Sequence, residues 1–126
     1  MNLLKKLEAL ENDADEFGFR WGNTDQIIQQ IKSECSEISE HLDSKSTQSN
    51  RSNLQEEMGD LLHAAFSLCI FCKLNPEDTL EKSLAKFERR LSAVKQLANE
   101  RGLTNLVGFS FEELMVLWDQ AKLQAG

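Results

Sequence analysis

The chain has 126 residues, of which 40% are hydrophobic and 28% are charged, and its formal net charge is −7. That length suits a single hydrophobic core, so we expect one domain over residues 1–126. The acidic balance argues against a nucleic-acid surface, which needs a basic face. No apolar run reaches the roughly 18–20 residues that a membrane span requires.

The N-terminus and the cysteines bear on the cellular compartment. Residues 1–8 lack the apolar core and the cleavage site of a secretory signal. Cys35, Cys69 and Cys72 are an odd number of thiols without the spread of a disulfide framework. We therefore expect a cytoplasmic protein. We interpret Cys69 and Cys72 as core thiols of a buried helix rather than as a metal or redox pair.

Residues 2–17 carry apolar side chains at intervals of three and four, which predicts an amphipathic helix. The stretch that follows places Phe17, Phe19 and Trp21 between two glycines. Two interpretations stay open for these aromatic residues. They plug the end of a helical bundle, or they form a stacking surface for a flat ligand, in which case Phe17 and Trp21 are candidate base-binding residues.

A second helix is predicted over about residues 25–43, with Thr24 as its N-cap. Its apolar stripe consists of Ile27, Ile31, Ile38 and Leu42. Glu34 falls in the middle of this stripe, and Glu37 and His41 fall on its flank. A carboxylate centred on an apolar face is costly unless it is paired or bound to a metal. Glu34 is therefore a candidate functional residue.

A polar stretch, residues 43–53, is predicted to be a mobile surface connection. It leads to a third helix over about residues 53–73. From Leu61 to Cys72 this helix is apolar nearly all round, which is typical of a central helix or of an oligomer interface. We interpret His63, which interrupts this run, as structural, with contact to a base or an interface as the alternative.

The second and third helices carry two pairs of acidic residues, each pair three positions apart. These residues are Glu34 and Glu37, and Glu57 and Asp60. Residues at i and i+3 project from one side of a helix, so two helices meeting there would bring four carboxylates together. Such a cluster needs cations, and oxygen ligands suit Mg²⁺ or Mn²⁺. The alternative is an ordinary solvated face, which we expect for the neighbouring Glu56.

Residues 75–78, Asn-Pro-Glu-Asp, predict the start of a fourth helix that ends near Arg101. Lys86 and Arg90 lie four residues apart beside the apolar stripe of this helix. They could hold a polyphosphate next to bound metal ions. Alternatively, they belong to a solvated face and pair with nearby acidic residues.

Residues 110–113, Ser-Phe-Glu-Glu, form a capping box that predicts a last helix. The layout is therefore all-α: a four-helix-bundle-like subunit with an additional C-terminal helix. A helix that is apolar nearly all round is more than a lone bundle of this size easily covers, so we expect the subunit to be oligomeric. With only oxygen ligands and no Glu-x-x-His pair, Mg²⁺-assisted phosphoryl chemistry is favoured over redox iron.

The motifs, taken in order, resemble those of the MazG-type nucleoside triphosphate pyrophosphohydrolases. That superfamily also includes dimeric dUTPases and phosphoribosyl-ATP pyrophosphohydrolases. The resemblance covers about residues 24–122. It rests on Glu34-x-x-Glu37, on Glu56-Glu57-x-Gly-Asp60, on residues 75–80 and 86–90, and on the stretch from Glu112 through Trp118 to Lys122.

The resemblance implies Mg²⁺-dependent cleavage of (deoxy)nucleoside triphosphates between the α and β phosphates, with release of a monophosphate and pyrophosphate. It implies nucleotide-pool house-cleaning as the role, and a homodimer or a dimer of dimers as the assembly. A phosphoribosyl-ATP substrate and a non-catalytic helical interaction module are the alternatives.

The resemblance also implies roles for particular residues. The implied Mg²⁺ ligands are Glu34, Glu37, Glu57 and Asp60. Lys86 and Arg90 would contact phosphates. Glu37 and Glu57 would be the catalytic carboxylates, and we assign to Glu37 the orientation of the water that attacks the α-phosphorus.

Overall fold

The computed structural model describes residues 2–43 and 48–126, with side chains for 2–43 and 51–126. These residues form five helices and no strand: α1 (Leu3–Phe17), α2 (Thr24–Asp43), α3 (Gln48–Phe71), α4 (Pro76–Glu100) and α5 (Phe111–Ala125). The all-α prediction is confirmed for this part of the chain. Among the helices described, none combines the length and apolar character needed to span a bilayer.

The chain divides into two compact units, Met1–Thr79 and Leu80–Gly126. The first unit contains α1, α2, α3 and the first turn of α4. The second contains the remainder of α4 together with α5. The organisation as one domain and the oligomeric state stay predictions.

The first helix has a defined cap at each end. The Asn2 side chain accepts a hydrogen bond of 2.8 Å from the backbone N–H three residues on. Gly18 ends the helix with φ +94°, and the N–H groups of Gly18 and Phe19 bond to the last carbonyls of α1. This left-handed cap favours glycine because other residues are strained there. Within α1, which is described throughout, no side chain is fully buried.

The second helix packs against α3, and its buried residues are Ile27, Glu34 and Ile38. Asn23 caps its N-terminus, because Asn23 Oδ1 accepts a hydrogen bond of 3.0 Å from the Gln26 backbone N–H. Thr24 is instead the first helical residue. The prediction of Thr24 as the N-cap is therefore wrong by one position.

The third helix begins at Gln48, five residues before the predicted start. Residues 44–47 of the predicted polar connection lie outside the described residues. The helix ends at Phe71, two residues early, because Lys73 adopts φ +64° and the Leu74 N–H bonds back to the Cys69 carbonyl. This termination sets the direction of residues 73–76, which line the groove described below.

The apolar second half of α3 is less buried than a core helix. Leu62 is 61% exposed, and Phe71 lies on the surface. Cys69 is half-buried, whereas Cys72 is exposed beyond the end of the helix. The expectation of two core thiols is therefore wrong for Cys72, because the chain has already left the helix there.

The second unit is a pair of packed helices. Helix α4 begins within the first unit, where the Asn75 side chain caps it by accepting a 2.9 Å hydrogen bond from the Asp78 N–H. The predicted capping box of α5 is confirmed, with reciprocal bonds between Ser110 and Glu113. The core of the unit consists of Ala93, Leu97, Leu117 and Ala121, surrounded by Val94, Leu106, Phe109 and Ala125.

Candidate functional site

Four acidic side chains of α2 and α3, Glu34, Glu37, Glu57 and Asp60, are called the carboxylate cluster from here on. Glu34 is only 7% exposed, Glu57 is half-buried, and Glu37 and Asp60 lie at the surface. The pKa of Glu37 is raised above its ordinary value, first by the negative charge of Glu34, then by burial and by Glu57, Glu40 and Asp60. The structure therefore places Glu34, Glu57 and Asp60 each within electrostatic range of Glu37.

Glu34 has one satisfied and one unsatisfied oxygen. Gln30 Nε2 donates a hydrogen bond of 2.8 Å to Glu34 Oε1. Glu34 Oε2 is buried and has no hydrogen-bond partner among the described residues. A buried acceptor left unpaired costs about 1–3 kcal/mol. An orphaned carboxylate oxygen of this kind is a suitable ligand atom for a cation.

Glu57 has a histidine partner that sequence analysis placed on the flank of α2 without a role. His41 Nδ1 lies 2.5 Å from Glu57 Oε2. This contact connects α2 to α3 at a member of the carboxylate cluster. It holds one of the two Glu57 oxygens in place.

The fit of a metal ion to the cluster depends on donor type and on side-chain rotation. Over residues 2–43 and 51–126, no three His, Cys, Asp or Glu side chains already stand as a group able to hold a metal ion. Glu34 is turned towards Gln30 and Glu57 towards His41. Four carboxylates nevertheless match the oxygen ligands that Mg²⁺ and Mn²⁺ prefer. Metal binding at the cluster stays a prediction, and it requires some of these side chains to turn.

A groove of about 1320 Å³ opens beside the cluster within the first unit. It exceeds the roughly 300–1,000 Å³ that is usual for small-molecule sites. Glu34 and Asp60 line it, together with Phe19 and Trp21 from the α1–α2 connection. Phe17 is 88% exposed and does not line the groove. Of the two predicted base-binding residues, the structure therefore places Trp21 in the groove and Phe17 outside it.

The groove contains a group of polar residues of which sequence analysis had singled out only His63. Glu11 Oε1 accepts a hydrogen bond of 2.8 Å from His63 Nε2 and a second, short one from Ser67 Oγ. Glu11 is separated from His63 by 52 positions in the chain and from Ser67 by 56. Such contacts are not predictable from helical periodicity, because periodicity does not reveal which faces of two helices meet. Arg20 and Lys73 add two cations to the lining.

Lys86 and Arg90, the predicted phosphate contacts, lie on the part of α4 that belongs to the second unit. The Arg90 guanidinium lies 5.8 Å from the centre of the Trp118 ring, and its Nε donates to the Gly126 carbonyl at 3.0 Å. Lys86 is exposed. Among the side chains described, no acidic group forms a salt bridge with either residue. Their contact with phosphate stays a prediction.

Sequence comparison identifies relatives over most of the chain. The nucleoside triphosphate pyrophosphohydrolase/pyrophosphatase MazG of Thermotoga maritima is 29% identical over 119 residues, which are 94% of this chain and 44% of that protein. The nucleoside triphosphate pyrophosphohydrolase of Escherichia coli K12 is 28% identical over 121 residues, 96% of this chain and 45% of the relative. An uncharacterized Bacillus subtilis protein, YabN, is 39% identical over 70 residues, 56% of this chain and 14% of its own length.

The chain thus spans less than half the length of these curated relatives. The family model of the MazG nucleotide pyrophosphohydrolase domain matches residues 23–95, more than half of the chain. The matched segment contains the whole carboxylate cluster, Lys86 and Arg90. The chain therefore belongs to the MazG nucleotide pyrophosphohydrolase family.

Proposed function

We propose that the chain is a Mg²⁺-dependent pyrophosphohydrolase that cleaves (deoxy)nucleoside triphosphates between the α and β phosphates, with nucleotide-pool house-cleaning as its role. The observation that carries this proposal is Glu34, a buried carboxylate with an unpartnered oxygen beside other acids that raise the pKa of Glu37. The Thermotoga and Escherichia relatives are named as nucleoside triphosphate pyrophosphohydrolases, which supports the substrate class.

The residues of the carboxylate cluster would hold the cations. Bound Mg²⁺ would neutralise phosphate charge and lower the pKa of a coordinated water. Glu37 would orient the attacking water and accept its proton. Attack would form a bond from the water oxygen to the α-phosphorus and break the bond to the bridging oxygen, so that pyrophosphate leaves. Trp21 would stack on the base in the groove.

Two pairs of basic residues are candidates for phosphate contact, and their variants can be compared directly. Lys86 and Arg90 are supported by the family motif, whereas Arg20 and Lys73 are the cations that line the groove itself. We expect Lys86→Met to raise the KM for triphosphate more than Lys73→Met does. Lys86 is the better probe, because Arg90 also contacts Trp118 and Gly126 and its removal would disturb the second unit.

Incubation with a panel of ribo- and deoxyribonucleoside triphosphates and Mg²⁺ tests the proposal. Release of pyrophosphate and monophosphate, without orthophosphate, is the expected result. Glu57→Gln should abolish turnover, whereas Glu56→Gln should not, because Glu56 is an exposed neighbour outside the cluster. If no triphosphate yields pyrophosphate and Mg²⁺ with nucleotide leaves the melting temperature unchanged, the non-catalytic interaction module replaces this proposal.

We also propose that the chain assembles as a homodimer or as a dimer of dimers. An apolar stripe on α4, formed by Leu80, Leu84, Phe87 and Leu91, is between 38% and 57% exposed, and this supports the proposal. Such contiguous apolar surface is typical of interaction sites. Light scattering after size exclusion should give at least twice the 14.3 kDa of the chain. Leu84→Lys should lower that mass, whereas Ser92→Lys, on an exposed position of the same helix, should not.

A further inference from the structure

The polar cluster of Glu11, His63 and Ser67 lies in the groove but outside the carboxylate cluster. Glu11 Oε1 receives hydrogen bonds from both other side chains. The Glu11 side chain is 19% exposed, and Ser67 is 4% exposed. A carboxylate held by two donors at partial burial has a fixed direction. The arrangement therefore presents the Glu11 carboxylate to a ligand in the groove in a fixed orientation.

The hydrogen-bond roles in this cluster follow from the groups involved. An ionised carboxylate only accepts hydrogen bonds, so the His63 Nε2 and the Ser67 hydroxyl both donate to Glu11. The described residues supply no further donor to Glu11, which leaves Oε2 as an available acceptor. In neutral His63 the other nitrogen, Nδ1, is also an acceptor. The cluster therefore offers acceptors to a ligand and calls for ligand donors.

The position of the cluster along α3 matches the length of a nucleoside. Asp60, Ala64, Ser67 and Phe71 all line the groove, and their spacing of four, three and four places them on one face of the helix. Ser67 lies about 10 Å along the axis from Asp60, at 1.5 Å per residue. That separation is comparable with the span from the 5′ oxygen of a nucleoside to the far edge of its base.

Apolar side chains line the same end of the groove, namely Ile70, Phe71 and Leu74, and they alternate there with the polar residues Lys73 and Asn75. Trp21 adds a flat aromatic surface to the groove. An apolar pocket with a few fixed polar groups is the usual environment of a nucleobase in a protein. A nucleotide whose phosphates lie at the Asp60 end would thus bring its base to Glu11.

We propose that Glu11, positioned by His63 and Ser67, determines base specificity by accepting a hydrogen bond from an exocyclic amino group. This inference rests on the proposed function. Amino-bearing bases would place a donor against the carboxylate. Uracil and thymine have a carbonyl oxygen where cytosine has its amino group, so the exocyclic donor is missing. Their remaining donor on that edge, the imino N–H, lies between two carbonyl oxygens that would repel the carboxylate. The chain would accordingly favour cytosine, adenine and guanine nucleotides over uracil and thymine nucleotides.

The matched pair dCTP and dUTP gives the sharpest test, because the two bases differ only at C4 and N3. Wild-type protein should have the higher kcat/KM with dCTP. Glu11→Gln should lower kcat/KM for dCTP by about ten- to a hundred-fold, the usual effect of losing a hydrogen bond to a charged group, through KM rather than kcat. It should leave dUTP unchanged or improve it. Glu16→Gln, on an exposed position of α1 outside the groove, is the matched control.

Binding of dCMP and dUMP, measured calorimetrically without metal, separates this inference from the proposed function. Suppose that the wild type binds dCMP preferentially, that Glu11→Gln removes this preference, and that the protein has no hydrolytic activity. This result would support the base assignment and refute the proposed enzymatic function. Hydrolysis with equal rates for dCTP and dUTP would refute the base assignment and leave the enzyme. A change in the ratio of ribo- to deoxyribonucleotide rates would assign Glu11 to the sugar and also overturn the inference. Should circular dichroism show Glu11→Gln unfolded, Ser67→Ala replaces it, with the same loss of the dCTP preference expected in weaker form.

Discussion

His41 Nδ1 lies 2.5 Å from Glu57 Oε2, in a contact where the two side chains are 28% and 16% exposed. The histidine belongs to α2 and the carboxylate to α3. A group that hydrogen-bonds one oxygen of a carboxylate helps to aim the other. In the proposed metal site, we therefore expect His41 to position Glu57.

The first prediction concerns the metal requirement of His41 variants. His41→Ala should raise the Mg²⁺ concentration needed for half-maximal activity by about 10–100-fold, the usual effect of removing an outer hydrogen-bond partner. His41→Asn should recover part of this loss, because its amide can donate from a position close to that of Nδ1. Titration of Mg²⁺ against turnover measures the effect. Equal Mg²⁺ curves for wild type, His41→Ala and the exposed control Ser39→Ala would show that His41 has no positioning role.

The second prediction concerns stability at Glu34. Glu34→Leu should raise the free energy of unfolding in metal-free buffer by about 1–3 kcal/mol, because it removes a buried oxygen without a partner. Gln30 is exposed, so water can satisfy its amide. Urea denaturation measures the change.

We expect Mg²⁺ to stabilise the wild type, since a ligand that binds the folded state stabilises it, and the same variant should lose this stabilisation. Ser33→Leu, on an exposed position of the same turn, is the control for added apolar surface. A Glu34→Leu protein that is less stable than wild type in metal-free buffer would contradict the prediction, because the hydrogen bond from Gln30 would then stabilise the fold by more than the unpaired Oε2 costs.

The third prediction follows from the raised pKa of Glu37, which is due first to Glu34 and then to burial and the other nearby acids. Between the ordinary value of 4.5 and the raised value, the folded state holds a proton that the unfolded state has released. The contribution of Glu37 to stability therefore falls as pH rises through that window. Glu37→Gln should remove this part of the pH dependence. Unfolding free energies at closely spaced pH values above 4.5 measure it, and an unchanged slope in the variant would contradict the assignment.

The fourth prediction concerns the capping box of α5. The Ser110 backbone N–H and hydroxyl lower the pKa of Glu113. Its contribution to stability is thus present above the unfolded-state pKa and is lost as pH falls through the lowered, folded-state value. Ser110→Ala should cost about 1 kcal/mol at neutral pH. Thermal unfolding measured across the acidic pH range tests this. The melting temperature should depend less on pH in Glu113→Gln than in the wild type, whereas Glu112→Gln, at the exposed neighbouring position, should behave like the wild type.

Much of the fold was accessible from local signals in the sequence. The cap at Asn75, the capping box at Ser110 and the apolar stripe centred on Glu34 each depend on residues within a turn or two of one another. The early start of α3 at Gln48 was missed, because residues 48–53 are polar and carry no apolar period. Propensity alone does not separate such a segment from a loop.

In the site, too, features local to one helix were predictable and features that depend on helix packing were not. The carboxylate pairs were predictable because each pair is local to one helix, and the burial of Glu34 followed from its place in the stripe. The contact of Glu11 with His63 and Ser67 was not predictable, since it depends on how α1 is rotated against α3. The Phe17 prediction rested on its being an aromatic residue in the connection before α2, and the cap at Gly18 turns the chain between Phe17 and Trp21.

The shallow burial of α1 has a consequence for ligand affinity. With no fully buried side chain between Leu3 and Phe17, α1 is anchored to α3 in part by the polar bonds of Glu11. Few buried contacts give a low free energy of local opening, so amide protons in α1 should exchange with solvent sooner than those of α2 and α3. A ligand bound in the groove would suppress this opening, and part of its binding energy would be consumed in ordering the helix.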